Sequence, residues 1–395
     1  MSAEVFRKGL DLKHVVAGDL ARDYHSDLVE TIRLNDFTYQ DGRVSVHLAK
    51  EFGFCYGVER AVDYAYQTRK KFPERTVYLT GEIIHNPHVN ARLRAAGIRF
   101  LSDPSESIEH VTSNAVVILP AFGVTIHELE RLISSDCTLV DTTCGSVLNV
   151  WKNVRQFARD GYTAVIHGKV KHEETQATAS QARVADNGRY LIVLDRKEAE
   201  LICDYITGKK SLESFQAHFL HACSPDFDPS RNLTRVGLAN QTTMLMSESL
   251  EIGQLIRQAM ADRYGEQAID KHYRAFDTIC SATQDRQDAI QALLNEADLN
   301  LAIVIGGYNS SNTRNLAKIC ARKVATYHIA DPSCLASPSE LRHLPTTTTA
   351  GASAEQVQEH WLPTTGKLSI GVSAGASTPD NIVGEVISRL VELCK

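Results

Sequence analysis

No apolar run in the 395 residues approaches the ~18 needed to cross a membrane, and the first residues lack the charged-then-apolar order of a secretory leader. The chain is therefore expected in the cytoplasm. A surplus of positive charge is missing too: the formal charge is -6 and the pI about 6.2, so there is no basic footprint for nucleic acid or an anionic membrane, although local groups can still hold a small anion. The nine cysteines lack the dense spacing of a secreted disulfide scaffold, and nine is an odd number. Composition is otherwise ordinary, with 43% apolar, 23% charged and 7% aromatic residues, and names no function. The length exceeds what a single core usually serves, so two or three domains are expected.

What the sequence does have is a stretch that occurs twice. Asp141-Thr142-Thr143-Cys144 and Asp277-Thr278-Ile279-Cys280 share the pattern D-T-x-C, each after a strand-like run and before a helical one. Cys55, in Gly53-Phe54-Cys55-Tyr56-Gly57, holds the same position between a strand (44–49) and a helix (58–68). Cys137, Cys203, Cys223, Cys320, Cys334 and Cys394 sit in no comparable turn and read as small buried or incidental thiols.

From Val44 onward a strand, turn, helix rhythm repeats, which predicts α/β architecture with largely parallel sheets. Three similar units emerge, each running cysteine turn, second turn, third turn. The division is 1–43 as an N-terminal extension, 44–143 as a first α/β unit, 144–277 as a second with a surface insertion at about 204–235, and 278–395 as a third. Helical spacing predicts one amphipathic helix from Tyr24 to Leu34 in the extension, which packs on the body; a partly disordered tail is the alternative. Loops after the carboxyl ends of parallel strands are where ligands bind, so nine such loops could line one cavity.

Three like cysteines without a fourth are informative, because a structural zinc site closes with four ligands. An iron-sulfur cube held by three thiolates leaves one iron open, able to act as a Lewis acid and to pass electrons. Incidental thiols remain the alternative. In the second turns, His172 and Glu174 follow a strand where a proton donor and an anion partner could face a cavity; a solvated helix start would use the same residues. Asn309-Ser310-Ser311-Asn312 and Ser373 to Ser377 are hydroxyl- and amide-rich helix starts, suited to a diphosphate or, more plainly, to capping. Gln241-Thr242-Thr243 and Thr283 add hydroxyls that could orient a substrate alcohol.

Together, Gly53-Phe54-Cys55, Glu82-Ile83-Ile84-His85-Asn86, Asp141 to Cys144, His172-Glu173-Glu174, Gln241-Thr242-Thr243, Cys280, Asn309 to Asn312 and Ser373 to Asp380 resemble the 4-hydroxy-3-methylbut-2-enyl diphosphate reductase (LytB) family. The resemblance runs from about residue 44 to the C-terminus, and the long N-terminal extension is similar to the plastid and cyanobacterial type. It implies a trefoil of three pseudo-equivalent α/β units around a central iron-sulfur cluster. It further implies one 4Fe-4S cluster on Cys55, Cys144 and Cys280 with one open iron, and a diphosphate held by His85, His172, Ser310, Ser311, Asn312 and Ser377. Glu174 would supply protons, and Thr242 with Thr283 would surround the substrate hydroxyl. The implied reaction is reductive dehydroxylation of an allylic alcohol diphosphate to isopentenyl and dimethylallyl diphosphates, the last step of the non-mevalonate isoprenoid route. It takes electrons from an external one-electron donor such as ferredoxin or flavodoxin, in the cytoplasm, or in the plastid stroma if the source is a plant. A non-redox 4Fe-4S hydro-lyase and a non-catalytic cluster-binding redox sensor are the other classes. One position departs from the short bacterial pattern, which has a histidine where this chain has Phe122; a phenyl ring cannot donate to phosphate, so that contact is either absent or replaced, by backbone N–H groups or Thr125.

Overall fold

Strands written as short, nearly unbroken apolar runs belong in parallel sheets covered on both faces. In the computed structural model, which describes residues 4–185, 187–276, 278–346 and 354–395, those runs form small, mostly parallel sheets with helices between them in the chain. Asp277, the first residue of the second D-T-x-C copy, lies outside the described residues. No described helix is long and apolar enough to cross a membrane. The chain divides into two compact units, Met1–Val5 with Ser107–Cys280, and Phe6–Glu106 with Ser281–Lys395.

The first unit is built on a parallel sheet in the order Tyr273–Ala275, Val236–Asn240, Thr163–His167, Tyr190–Val193. Val236–Asn240 and Thr163–His167 are buried along their whole length. Phe157, from the helix Gly145–Arg159, packs in the same core with Ile166, Ile202, Ile252 and Met260. Gly237 is required by that packing, because a Cβ there would run into the Phe157 ring. The stretch 204–235, read above as a surface insertion, brings core residues of its own. Phe215, Phe219 and Leu233 are fully buried, and Phe215 stacks on Phe227 with ring centroids 5.2 Å apart. Val116–Leu119 and Thr138–Asp141 form a second parallel pair in this unit.

The second unit carries a five-stranded sheet in the order Ala325–Ile329, Leu301–Ile305, Leu368–Ala374, Val44–Leu48, Thr38–Asp41, parallel except for the last strand. In both sheets, and in the Val116–Leu119 pair, the strand leading to a cysteine is hydrogen-bonded to the strand that leads to a third turn. Val44–Leu48, which opens the first repeat in the sequence, therefore completes the sheet of the last one.

The N-terminal segment holds two helices, Lys13–Tyr24 and Asp27–Leu34, in place of the single Tyr24–Leu34 helix that the spacing predicts. The break has a local cause: His25 is extended, and the Ser26 side chain caps the second helix by accepting the Val29 N–H at 3.3 Å. The Gln67 side chain ties this segment down, its Oε1 accepting the N–H groups of Leu10 and Leu12, both at 3.1 Å.

Gly237→Ala is expected to destabilise the chain by about 1–3 kcal/mol through overpacking against Phe157, seen as a lower urea midpoint; an unchanged midpoint would contradict the close packing described.

Candidate functional site

Each of the three cysteines ends a strand-to-helix turn. Cys55 and Cys144 are the extended N-cap residues of the helices Tyr56–Lys71 and Gly145–Arg159, and Cys280 immediately precedes the helix Ser281–Glu296. Their backbone N–H groups make equivalent bonds: Cys55 to the Ala376 carbonyl (3.2 Å), Cys144 to Ala121 (3.0 Å) and Cys280 to Thr242 (3.2 Å). In every case the acceptor lies two residues beyond the end of the neighbouring strand. All three thiols are half-buried at a helix start. Four of the other cysteines are held as thiols: burial pushes Cys203 and Cys320 up to about 12 and raises Cys223 and Cys394.

The D-T-x-C pattern has a structural meaning. Thr142 Oγ1 donates to the Leu119 carbonyl (2.6 Å), and Thr278 Oγ1 both accepts the Asn240 N–H (2.7 Å) and donates to the Asn240 carbonyl (3.2 Å). Asp141 Oδ1 accepts the Thr143 N–H (3.0 Å) and hydroxyl (2.6 Å). The threonine pins the turn to the adjacent strand end in both copies.

In the first unit, Glu174 is only 2% exposed and accepts the Thr242 N–H at 2.6 Å. Thr242 thus donates to Glu174 through its N–H and accepts from Cys280 through its carbonyl. His172 caps the helix Glu173–Gln181, its Nδ1 accepting the Glu174 N–H at 3.2 Å, which leaves the proton of a neutral ring on Nε2. Phe122 packs edge-on against the His172 ring, centroids 5.7 Å apart at 76°. The Thr125 hydroxyl takes part in a capping box with Glu128. His167 is buried with Nδ1 on Ser249 Oγ at 2.8 Å, and burial lowers its pKa to about 4, so the ring is neutral.

In the second unit, His85 is buried with Nδ1 2.9 Å from Glu82 Oε2, and Asn309 Nδ2 donates to the same oxygen at 3.1 Å. Ser377 Oγ donates to the His85 carbonyl at 3.2 Å. Asn312 Oδ1 accepts the Ala376 N–H at 2.9 Å, while its buried Nδ2 has no hydrogen-bond partner, a donor left over for a ligand. Ser310 caps the helix Ser311–Ala321. Side chains are excluded around this cradle: a Cβ at Gly307 would meet the His85 carbonyl, and one at Gly375 would meet Thr313 Oγ1. Hydrogen bonds and backbone packing thus join His85, Ser377, Ser310, Ser311 and Asn312 in one unit, and Thr283 lies fully buried at the start of the helix that follows Cys280.

Two further side chains, Glu82 and Gln241, organise the site residues named above. Glu82 orients His85 from three residues earlier. The Gln241 side chain accepts from the Lys169 N–H and Thr175 Oγ1, both at 3.1 Å, and donates to Thr243 Oγ1 at 2.8 Å. Their i,i+3 and in-motif positions are visible in the sequence, but the chemistry of bracing other side chains is not.

As a class, this is an α/β protein whose polar and thiol groups sit on loops after parallel strands, one of them a hydroxyl- and amide-rich helix start. The family model described as LytB protein matches residues 46–391. A 4-hydroxy-3-methylbut-2-enyl diphosphate reductase of Synechococcus sp. (strain RCC307) is 46% identical over 98% of this chain and 94% of its own length. One from Gloeobacter violaceus is 46% identical over 99% and 93%. A solved structure of (E)-4-hydroxy-3-methyl-but-2-enyl diphosphate reductase, the terminal enzyme of the non-mevalonate pathway, is 28% identical with a TM-score of 0.53, covering 88% of this chain and 99% of that one. The chain belongs to the LytB family, and iron-sulfur dependence goes with that family.

Inorganic pyrophosphate is expected to raise the melting temperature of the chain by occupying the cradle, and Asn312→Leu to abolish that shift; an equal shift in the variant would remove Asn312 from the anion site.

Proposed function

We infer that this chain catalyses the reaction for which its relatives are named, reduction of 4-hydroxy-3-methylbut-2-enyl diphosphate. The substrate takes up two electrons and two protons, its hydroxyl leaves as water, and the allylic fragment accepts a proton at either end to give isopentenyl or dimethylallyl diphosphate. The observation that carries this reading is Thr242, which ties a buried carboxylate, Glu174, to the turn of a helix-start thiol, Cys280.

The donor set fits an iron-sulfur group. Three thiols share one backbone setting at helix starts, and among the described residues no other cysteine shares it. We assign Cys55, Cys144 and Cys280 as the ligands of one 4Fe-4S cluster. When bound, the cluster supplies electrons one at a time and an iron with an open coordination position. The remaining work falls to the protein. His85, Ser310, Ser311, Asn312 and Ser377 hold the diphosphate, with His172 Nε2 adding a donor. Phe122 seats the His172 ring. Glu174 delivers protons to the departing oxygen, and its orientation is fixed by the Thr242 N–H. Thr242 and Thr283 surround the substrate hydroxyl. A ferredoxin- or flavodoxin-type protein is the electron source, and the reducing cytoplasm suits cysteines outside disulfides.

Glu174→Gln is expected to lower turnover by about 10²–10⁴-fold with iron content and substrate binding retained, measured anaerobically with a chemical reductant; near-normal turnover would sink the proton-delivery role. Cys144→Ser should lose most of its iron after anaerobic reconstitution, and full iron content in that variant would refute the ligand assignment.

A further inference from the structure

The three cysteine turns share a backbone pattern but not the same pins. Cys144 and Cys280 follow a threonine whose hydroxyl fastens the turn to the next strand. The corresponding stretch before Cys55 is Phe52-Gly53-Phe54, which has no hydroxyl or carboxylate to do this. The turn is also demanding: Gly53 has φ +73, and a Cβ there would stand 3.0 Å from Asp380 Oδ1.

Other groups grip this turn. The Arg33 guanidinium lies over the Phe52 ring, 4.7 Å from its centroid, and forks onto Asp380 through Nη1 (2.6 Å) and Nη2 (3.2 Å). Asp380 in turn lies against Gly53. Tyr24 packs on Phe54 with centroids 5.5 Å apart, and its own hydroxyl is held by the Tyr66 hydroxyl, which donates at 3.1 Å. From the helix after Cys280, Arg286 Nη2 donates to the Gly53 carbonyl at 2.8 Å. Tyr24 and Arg33 both come from the two-helix N-terminal segment, whereas the family pattern matches only from residue 46 onward.

We propose that this segment is a brace for the Cys55 turn, with Tyr24 and Arg33 as positioning residues that replace the missing aspartate and threonine pins. The proposal rests on Cys55 being a cluster ligand. Phe52 and Phe54, one on each side of Gly53, are each clamped by an N-terminal side chain, so the thiol is held in place from outside its own motif. Losing either clamp frees Cys55 selectively and leaves Cys144 and Cys280 as they were, since their pins are local.

The test compares the full-length chain with Tyr24→Ala, Arg33→Leu and Tyr24→Phe. Iodoacetamide alkylation of the three cysteines before reconstitution is followed by peptide mass spectrometry, and iron loss in air is followed after it. The brace predicts that Tyr24→Ala and Arg33→Leu speed alkylation of Cys55 by about tenfold and leave Cys144 and Cys280 within about twofold. They should also shed iron faster, while Tyr24→Phe, which keeps the ring, behaves like the parent. Unchanged Cys55 reactivity, or an equal rise at all three cysteines, would overturn the proposal. Cys55→Ser separates the two claims: iron fully retained there would remove the ligand reading and leave the alkylation result to judge the brace.

Discussion

The hydrogen bond on which the rest depends is the one from each cysteine N–H to a carbonyl two residues past the neighbouring strand. It occurs at Cys55 with Ala376, at Cys144 with Ala121 and at Cys280 with Thr242. Parallel pairing places strand ends side by side, and this bond continues the pairing into the loops, so that a thiol and a polar loop keep a fixed relation. What it couples differs each time. Thr242 donates its own N–H to Glu174, Ala376 donates its own to Asn312, and Ala121 is followed by Phe122, which seats His172. One backbone device thus attaches like thiols to a carboxylate, an amide side chain and an aromatic ring.

Much of this was legible in the sequence because it is local. The duplicated D-T-x-C pattern, the position of Cys55 between strand and helix, and the hydroxyl-rich helix starts at Ser310 and Ser377 are all written in contiguous residues. Long-range pairing is not. Nothing within Val44–Leu48 states that it will lie beside Leu368–Ala374, since apolar alternation is satisfied in any parallel sheet. Helical spacing read through the break at His25 and Ser26 because a cap competes with the helix by a single hydrogen bond. The burial of Phe215, Phe219 and Leu233 was hidden by the polar residues around them. The braces provided by Glu82 and Gln241 depend on which strand ends meet, and no local pattern carries that.

Burial sorts the titratable groups in the same direction. Cys203 and Cys320 are driven up toward 12, His167 and His328 are driven down to about 4 and stay neutral, and neither pair is available for charge transfer near neutrality. The residues proposed for the chemistry sit instead at or near helix starts, beside fixed dipoles and backbone donors. The glycines at 307 and 375 let the backbone pack directly against the His85 carbonyl and the Thr313 side chain.

The account stands or falls on what the reconstituted full-length chain does with its substrate. Under anaerobic conditions with a one-electron reductant, 4-hydroxy-3-methylbut-2-enyl diphosphate should be consumed with formation of isopentenyl and dimethylallyl diphosphates. Omission of the reductant should stop the reaction. Absence of both products from iron-loaded protein, or turnover that proceeds equally well without reductant, would contradict it.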